Sequence, residues 1–200
     1  MSMFRALLGA VAIASICSAG PSNLLSNPSF EDPITTDGPP FVGFWEAFNA
    51  GAGSSSAVST SMPHTGAQSL ELTLDGANLF AGVFQDVENL MAGQDVSYTG
   101  WHKAVADSGI EIRIEWRDSI NNVEVSRTPN FTPAPGSAYE MFMLNSTVPM
   151  GADTARVVYA IQSFGGVNTQ DVFVDDMSFV PEPASLSLLA LGGLLALRRR

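Results

Sequence analysis

The sequence predicts an all-β domain, a two-sheet jelly-roll β-sandwich, flanked by an N-terminal signal peptide helix and a C-terminal hydrophobic helix. Three observations lead there. Apolar and polar residues alternate over many short segments, as half-buried strands require. Turn dipeptides such as Asp75-Gly76, Ala92-Gly93, Asn121-Asn122, Pro135-Gly136 and Gly165-Gly166 separate those segments. Between Asn23 and Phe179 no long helical period appears.

The first element is MSMFRALLGAVAIASICSAG. Arg5 supplies the early positive charge, Ala6 to Ile16 the apolar run, and Cys17 and Ala19 the small residues before a cleavage point. Residues 1–19 therefore read as a secretory signal peptide. Ile16 stands directly before Cys17, where lipoprotein signals normally carry a small residue, so lipidation is disfavoured. Cys17 is the single cysteine, and its removal leaves a domain without disulfides, thiol nucleophiles or thiolate metal sites.

Residues 20–180 form the domain. Gln68–Leu74 alternates, with Leu70, Leu72 and Leu74 on one face. Ile110–Arg117 does the same, with Ile110, Ile112, Ile114 and Trp116 on one face and Glu111, Arg113, Glu115 and Arg117 on the other. That second face alternates in sign and is expected to be solvated or paired across strands. Further strands are predicted at Gly43–Phe48, Ser55–Thr60, Leu79–Val87, Asp95–Lys103, Ala138–Thr147, Ala155–Gln162 and Asp171–Val180.

The last element is VPEPASLSLLALGGLLALRRR. The apolar run Ala184–Leu197 would rise roughly 21 Å as a helix, short of a hydrocarbon core about 30 Å thick. Arg198, Arg199 and Arg200 would stay cytoplasmic by the positive-inside rule and leave the domain outside, as the signal peptide requires. Pro181-Glu182-Pro183, the short apolar run and the arginine cluster together resemble the PEP-CTERM sorting signal of Gram-negative bacteria. The resemblance assigns residues 181–200 to the signal. It implies a transient hold in the inner membrane, recognition by an exosortase, and delivery to the cell surface or the extracellular matrix. The logic resembles that of a removable anchor signal.

Charge narrows the partners. The chain has nine Lys+Arg and twenty Asp+Glu, a net of -11. Four of the bases and one acid, Glu182, lie in the end segments, so the domain itself is more acidic still, at -14. Such a domain repels phosphate backbones, which argues against nucleic acid as a partner.

Framework residues add a second resemblance. Asn23-Leu-Leu-Ser-Asn-Pro-Ser-Phe-Glu31 opens the domain, Thr65-Gly66 precedes Ser69-Leu70, Gln85 ends a strand, Ala92-Gly93-Gln94 leads into Tyr98-Thr-Gly-Trp101, and Val174-Asp-Asp-Met-Ser-Phe179 closes it. Together they resemble the galactose-binding-like β-sandwiches, especially carbohydrate-binding modules. The resemblance implies neighbouring first and last strands and a structural Ca²⁺. Glu31 and either Asp175 or Asp176 would supply carboxylates, and carbonyls near His64, Gly66 and Ser69 would complete the set, in keeping with the oxygen ligands calcium takes. Strand alternation puts Asp175 and Asp176 on opposite faces, so only one serves unless a bulge intervenes.

Sugar binding would need an exposed aromatic platform beside polar groups. Trp45, Trp101 and Trp116 are the weak candidates: Trp101 and Trp116 alternate in phase with apolar residues, Trp45 sits in Phe44-Trp45-Glu46 near a loop, and each reads as core. Catalysis finds little support: the histidines are His64 and His102, and no nucleophile elbow, zinc-protease motif or phosphate loop appears. A glycosidase needs two carboxyls facing one cleft, whereas Glu111 and Glu115 read as one charged strand face. The sequence thus leads to an exported, non-catalytic surface or matrix protein that binds or organises polysaccharide. A structural matrix protein or adhesin, contacting proteins, is the alternative.

Overall fold

The computed structural model describes residues 22–182. The signal peptide, Pro183, the apolar run and Arg198–Arg200 lie outside the described residues. Among the described residues there is no helix, and so none long and apolar enough to cross a membrane.

Ten strands arise where the alternation predicts them, with one addition. They are β1 (Glu46–Asn49), β2 (Ser54–Ser59), β3 (Ser69–Asp75), β4 (Phe80–Val87), β5 (Asp95–Ala104), β6 (Ile110–Asp118), β7 (Val123–Arg127), β8 (Glu140–Thr147), β9 (Thr154–Gln162) and β10 (Thr169–Pro181). The addition is β7, whose five residues are all exposed. With neither face buried it lacks the apolar alternation that marks the other strands.

The strands form two antiparallel five-stranded sheets, ordered β1-β4-β9-β6-β7 and β2-β3-β10-β5-β8. The alternating faces meet between them. Leu70, Leu72 and Leu74 of the second sheet and Ile110, Ile112 and Ile114 of the first are all buried. Fully burying side chains of this size contributes about 1.5–3 kcal/mol each, and this replaces the missing disulfides.

Polar groups also enter the interior. The His102 ring on β5 meets the Tyr159 hydroxyl on β9 at 2.8 Å, a bond from one sheet to the other. Burial lowers the His102 pKa to about 4, against the opposing pull of Glu140. The hydroxyl of buried Tyr98 has no partner among the described residues.

The first described residues and the last strand come together as the resemblance implies. The Leu24 N–H donates to the Phe179 carbonyl at 2.9 Å, and Asn23 bonds Met177 and Phe179 through its side chain. From there residues 25–45 pass the edge of the first sheet, where Thr35 and Val42 make parallel bridges to Glu46 and Asp86.

Candidate functional site

The residues expected to hold calcium do converge. Strand β10 carries a register shift between Asp175 and Ser178, and Asp176 sits there at φ 47°. Aspartate is one of the few non-glycine residues that visits this left-handed region, because its side chain bonds locally. The bulge cancels the alternation and turns both carboxylates toward the loop between β2 and β3.

That loop closes on them like a clasp. Asp175 accepts the His64 and Thr65 amides at 2.8 and 3.1 Å, and that of Asp176 at 2.8 Å. Asp176 accepts the Ser29 and Thr65 hydroxyls and faces His64 Nδ1, each at 2.7 Å. Glu31 accepts the amides of Ala67 and Gln68 at 2.9 and 3.2 Å. Gly66, at φ 65°, passes so close to Glu31 that a Cβ would collide with its carboxylate. The Ser69 hydroxyl bonds the Met62 carbonyl. Burial raises the Asp175 carboxyl above its usual range despite the amides of Thr65, Asp176 and His64. Burial acts the same way on Asp176, but the bonds from His64, Ser29 and Thr65 outweigh it and hold that carboxyl below its usual range.

These donors bear on calcium directly. Calcium takes six to eight oxygens, and here the carboxylates accept bonds from N–H groups and hydroxyls. Among the described residues no three His, Cys, Asp or Glu side chains gather into a metal-holding group. As arranged, the carboxylates of the clasp are engaged by hydrogen-bond donors of the loop.

The tryptophans offer no open platform. Trp45 and Trp116 are core residues, 1% and 3% exposed. Trp101 corrects the phase read from sequence. Tyr98, Gly100 and His102 are the buried positions of β5, so Trp101 faces outward with Thr99 and Lys103. Its ring is covered by His64, stacked at 4.5 Å between centroids and 18° between planes.

The outer face of the first sheet joins the polar face of β6 to aromatic residues of β1 and β4. Ala81, Val83, Gln85 and Val87 of β4 are buried, which turns Phe80, Phe84 and Asp86 outward. The Phe48 ring from β1 lies across Gly82, where a Cβ would meet its Cζ at 2.5 Å and the Tyr159 carbonyl oxygen at 2.6 Å. Gly82 thus lets an aromatic ring lie against the sheet. Phe41 meets Phe84 edge-on at 4.8 Å, and Phe48 follows at 6.1 Å from Phe84.

Beside this aromatic row stands a charge ladder. Arg156 Nε and Nη2 bond the two Asp86 oxygens at 2.7 and 2.9 Å. Its guanidinium also lies 4.2 Å from the Phe84 ring centre and 4.8 Å from that of Phe41. Arg113 donates to Glu115 at 2.8 Å, Arg127 reaches the same carboxylate at 3.7 Å, and Arg127 pairs with Glu124 at 2.6 Å. The cross-strand pairing expected for the polar face of β6 is therefore present. Arg117 contacts Asn122 at 3.3 Å and, among the described residues, has no carboxylate within ion-pair distance. It lines a cleft of about 240 Å³ with Pro40, Phe41, Asp86, Asn122 and Arg156.

All four arginines of the domain (Arg113, Arg117, Arg127 and Arg156) lie on this one face. Rings for stacking and fixed donor–acceptor pairs for hydroxyls stand side by side, the mixed character of sites for small polar ligands. Asp86, Glu115 and Glu124 are each engaged by an arginine.

Comparison with known proteins bears on both the tail and the domain. Residues 179–200 match the PEP-CTERM protein-sorting motif. The chain carries an exosortase-type sorting motif at its C-terminus. No curated protein matches it. Among solved structures it is similar to the CBM22-1 xylan-binding domain of Paenibacillus barcinonensis Xyn10C, with a TM-score of 0.57 and 19% identity over 84% of this chain and 100% of that one. It is also similar to TmCBM61, solved with β-1,4-galactotriose, at 0.55 and 17% over 80% and 99%. A third match is the enzymatically active domain of bacteriophage CBA120 tailspike protein 4, at 0.63 and 17% over 80% of this chain. The sandwich spans only 21% of that tailspike chain. At these identities the likeness concerns the fold: the domain is an all-β sandwich built like carbohydrate-binding modules.

Proposed function

We propose that the sorted chain is a non-catalytic glycan-binding protein of the cell surface or extracellular matrix, whose ligand lies across the outer face of the first sheet. The carrying observation is the juxtaposition on that face of the Phe41, Phe48 and Phe84 rings with the Arg156–Asp86 and Arg113–Glu115–Arg127 pairs. The apolar faces of sugar rings stack on the former, and their hydroxyls bond the latter. Export through the inner membrane of a Gram-negative cell, a transient anchor and release by exosortase accompany this reading through the PEP-CTERM motif.

The test is affinity-gel electrophoresis of the purified domain over neutral and acidic polysaccharides, including the host's own. Retardation is expected, together with its loss in Phe84→Ala. Failure of every glycan to retard the wild type overturns the proposal. Glycan hydrolysis abolished by removal of one carboxylate would replace it with an enzyme.

A further inference from the structure

The sorting motif does not begin where the fold ends. Strand β10 runs through Pro181, whose Cα partner is Val96 of β5. The next residue, Glu182, donates its amide to the Asp95 carbonyl at 2.8 Å. The first two residues of Pro181-Glu182-Pro183 are thus the last rung of the second sheet. We infer that this rung is a latch, and that Pro181 and Glu182 must leave β5 before the processing protease can read the motif. The inference rests on the sorting reading and adds to it a dependence on the folded state of the strand.

The chemistry of the rung suits a latch that opens without unfolding the domain. Antiparallel pairs alternate between hydrogen-bonded and non-hydrogen-bonded types. Since Glu182 bonds β5, Pro181 falls at a position whose nitrogen points away from β5. Its missing N–H therefore removes no bond to that strand. Consistently, Phe179, two residues earlier, spends its backbone groups on Leu24 and Asn23 instead. Glu182 continues the register opposite Asp95, and like charges directly opposed weaken a pair. Asp95 is turned instead toward Thr147, whose hydroxyl it accepts at 2.6 Å. One amide bond closes the outermost rung, and the Val180–Ser97 pair behind it must part as well for Pro181 and Glu182 to come clear of β5.

Reach makes the latch matter. The apolar run begins at Ala184, two residues after Glu182. Two residues span at most about 7 Å. With the latch closed, a membrane-held tail would bring the end of the sheet to the bilayer surface and leave a protease almost no free chain.

The test uses the full chain in its own host, with tail removal followed by pulse-chase. Ser97→Cys with Val180→Cys places a disulfide across the rung behind the motif. That pair is hydrogen-bonded, with Cα atoms about 5.5 Å apart, within the range a disulfide spans, and the exported compartment is oxidising. Tail removal is expected to slow at least tenfold and to recover with reductant. A four-residue Gly-Ser insertion between Val180 and Pro181, leaving the motif intact, is expected to restore processing in the clamped protein. An oxidised clamp that leaves the rate unchanged overturns the latch and leaves the sorting reading standing. A wild-type chain that never loses its tail overturns both.

Discussion

Gly66 and Tyr98 show two ways in which one residue decides its surroundings. Gly66 holds φ 65° against the Glu31 carboxylate, so a side chain there meets both a strained backbone and a collision. Gly66→Ala is expected to destabilise the domain by about 1–3 kcal/mol, read as a lower urea midpoint, with Glu31→Gln changing it less. An equal or higher midpoint would remove the clasp from the account of stability. Tyr98 poses the opposite case, a fully buried hydroxyl without a partner among the described residues. Leaving a polar group in this state costs about 1–3 kcal/mol. Tyr98→Phe keeps the ring and drops that cost, so its melting midpoint is expected to rise; a fall would mean the hydroxyl is satisfied in solution. The sequence marks both as framework residues but shows neither effect, since each depends on what a distant segment places beside it.

At the scale of the element, His102, which bonds Tyr159 of β9 from β5, makes stability depend on pH through its burial. The native pKa of His102, about 4, lies below an unfolded value near 6.5. Between those values the unfolded chain binds the proton and the native one does not. Stability is therefore complete above about pH 6.5 and falls as pH drops toward 4, by on the order of 3 kcal/mol. Urea midpoints from pH 7 to pH 4 should fall more steeply in the wild type than in His102→Gln; parallel curves would contradict the assignment. Strands with one buried face, such as β3 and β6, were legible in their alternation. Edge strand β7 was not, because both its faces are exposed. The turn of β10 at Asp176 was legible only as a condition: a bulge was needed to bring both aspartates to one side, and the sequence Asp-Asp does not say that one will form. Trp101 was misphased for a related reason. Its partner His64 comes from a loop, and an outward ring covered by a loop looks like core in one dimension.

At the scale of the whole molecule, the domain divides its charge. Its four arginines stand on the outer face of the first sheet, each beside acids or the cleft, and Lys103 is the one remaining base of the otherwise acidic domain. The candidate face was illegible as a site because it is assembled from β1, β4, β6, β7 and β9, five segments that meet only in the sheet. What the sequence did contain was its signature, Phe80 and Phe84 out of phase with Ala81 and Val83, and basic residues in the outward phase of β6. The division has a consequence for ligand choice. A neutral glycan feels only the contacts of the face, so its binding should change little with salt. A uronate-bearing chain of the same linkage also feels the acidic remainder, which repels it over roughly a Debye length, about 30 Å at 0.01 M and 8 Å at 0.15 M ionic strength. Affinity-gel retardation should therefore be weaker for the acidic glycan at low salt, with the gap narrowing as salt is raised. Stronger retardation of the acidic chain at low salt, lost on raising it, would mean that Arg117 and its neighbours dominate the field instead, and Arg117→Ala would then abolish the difference.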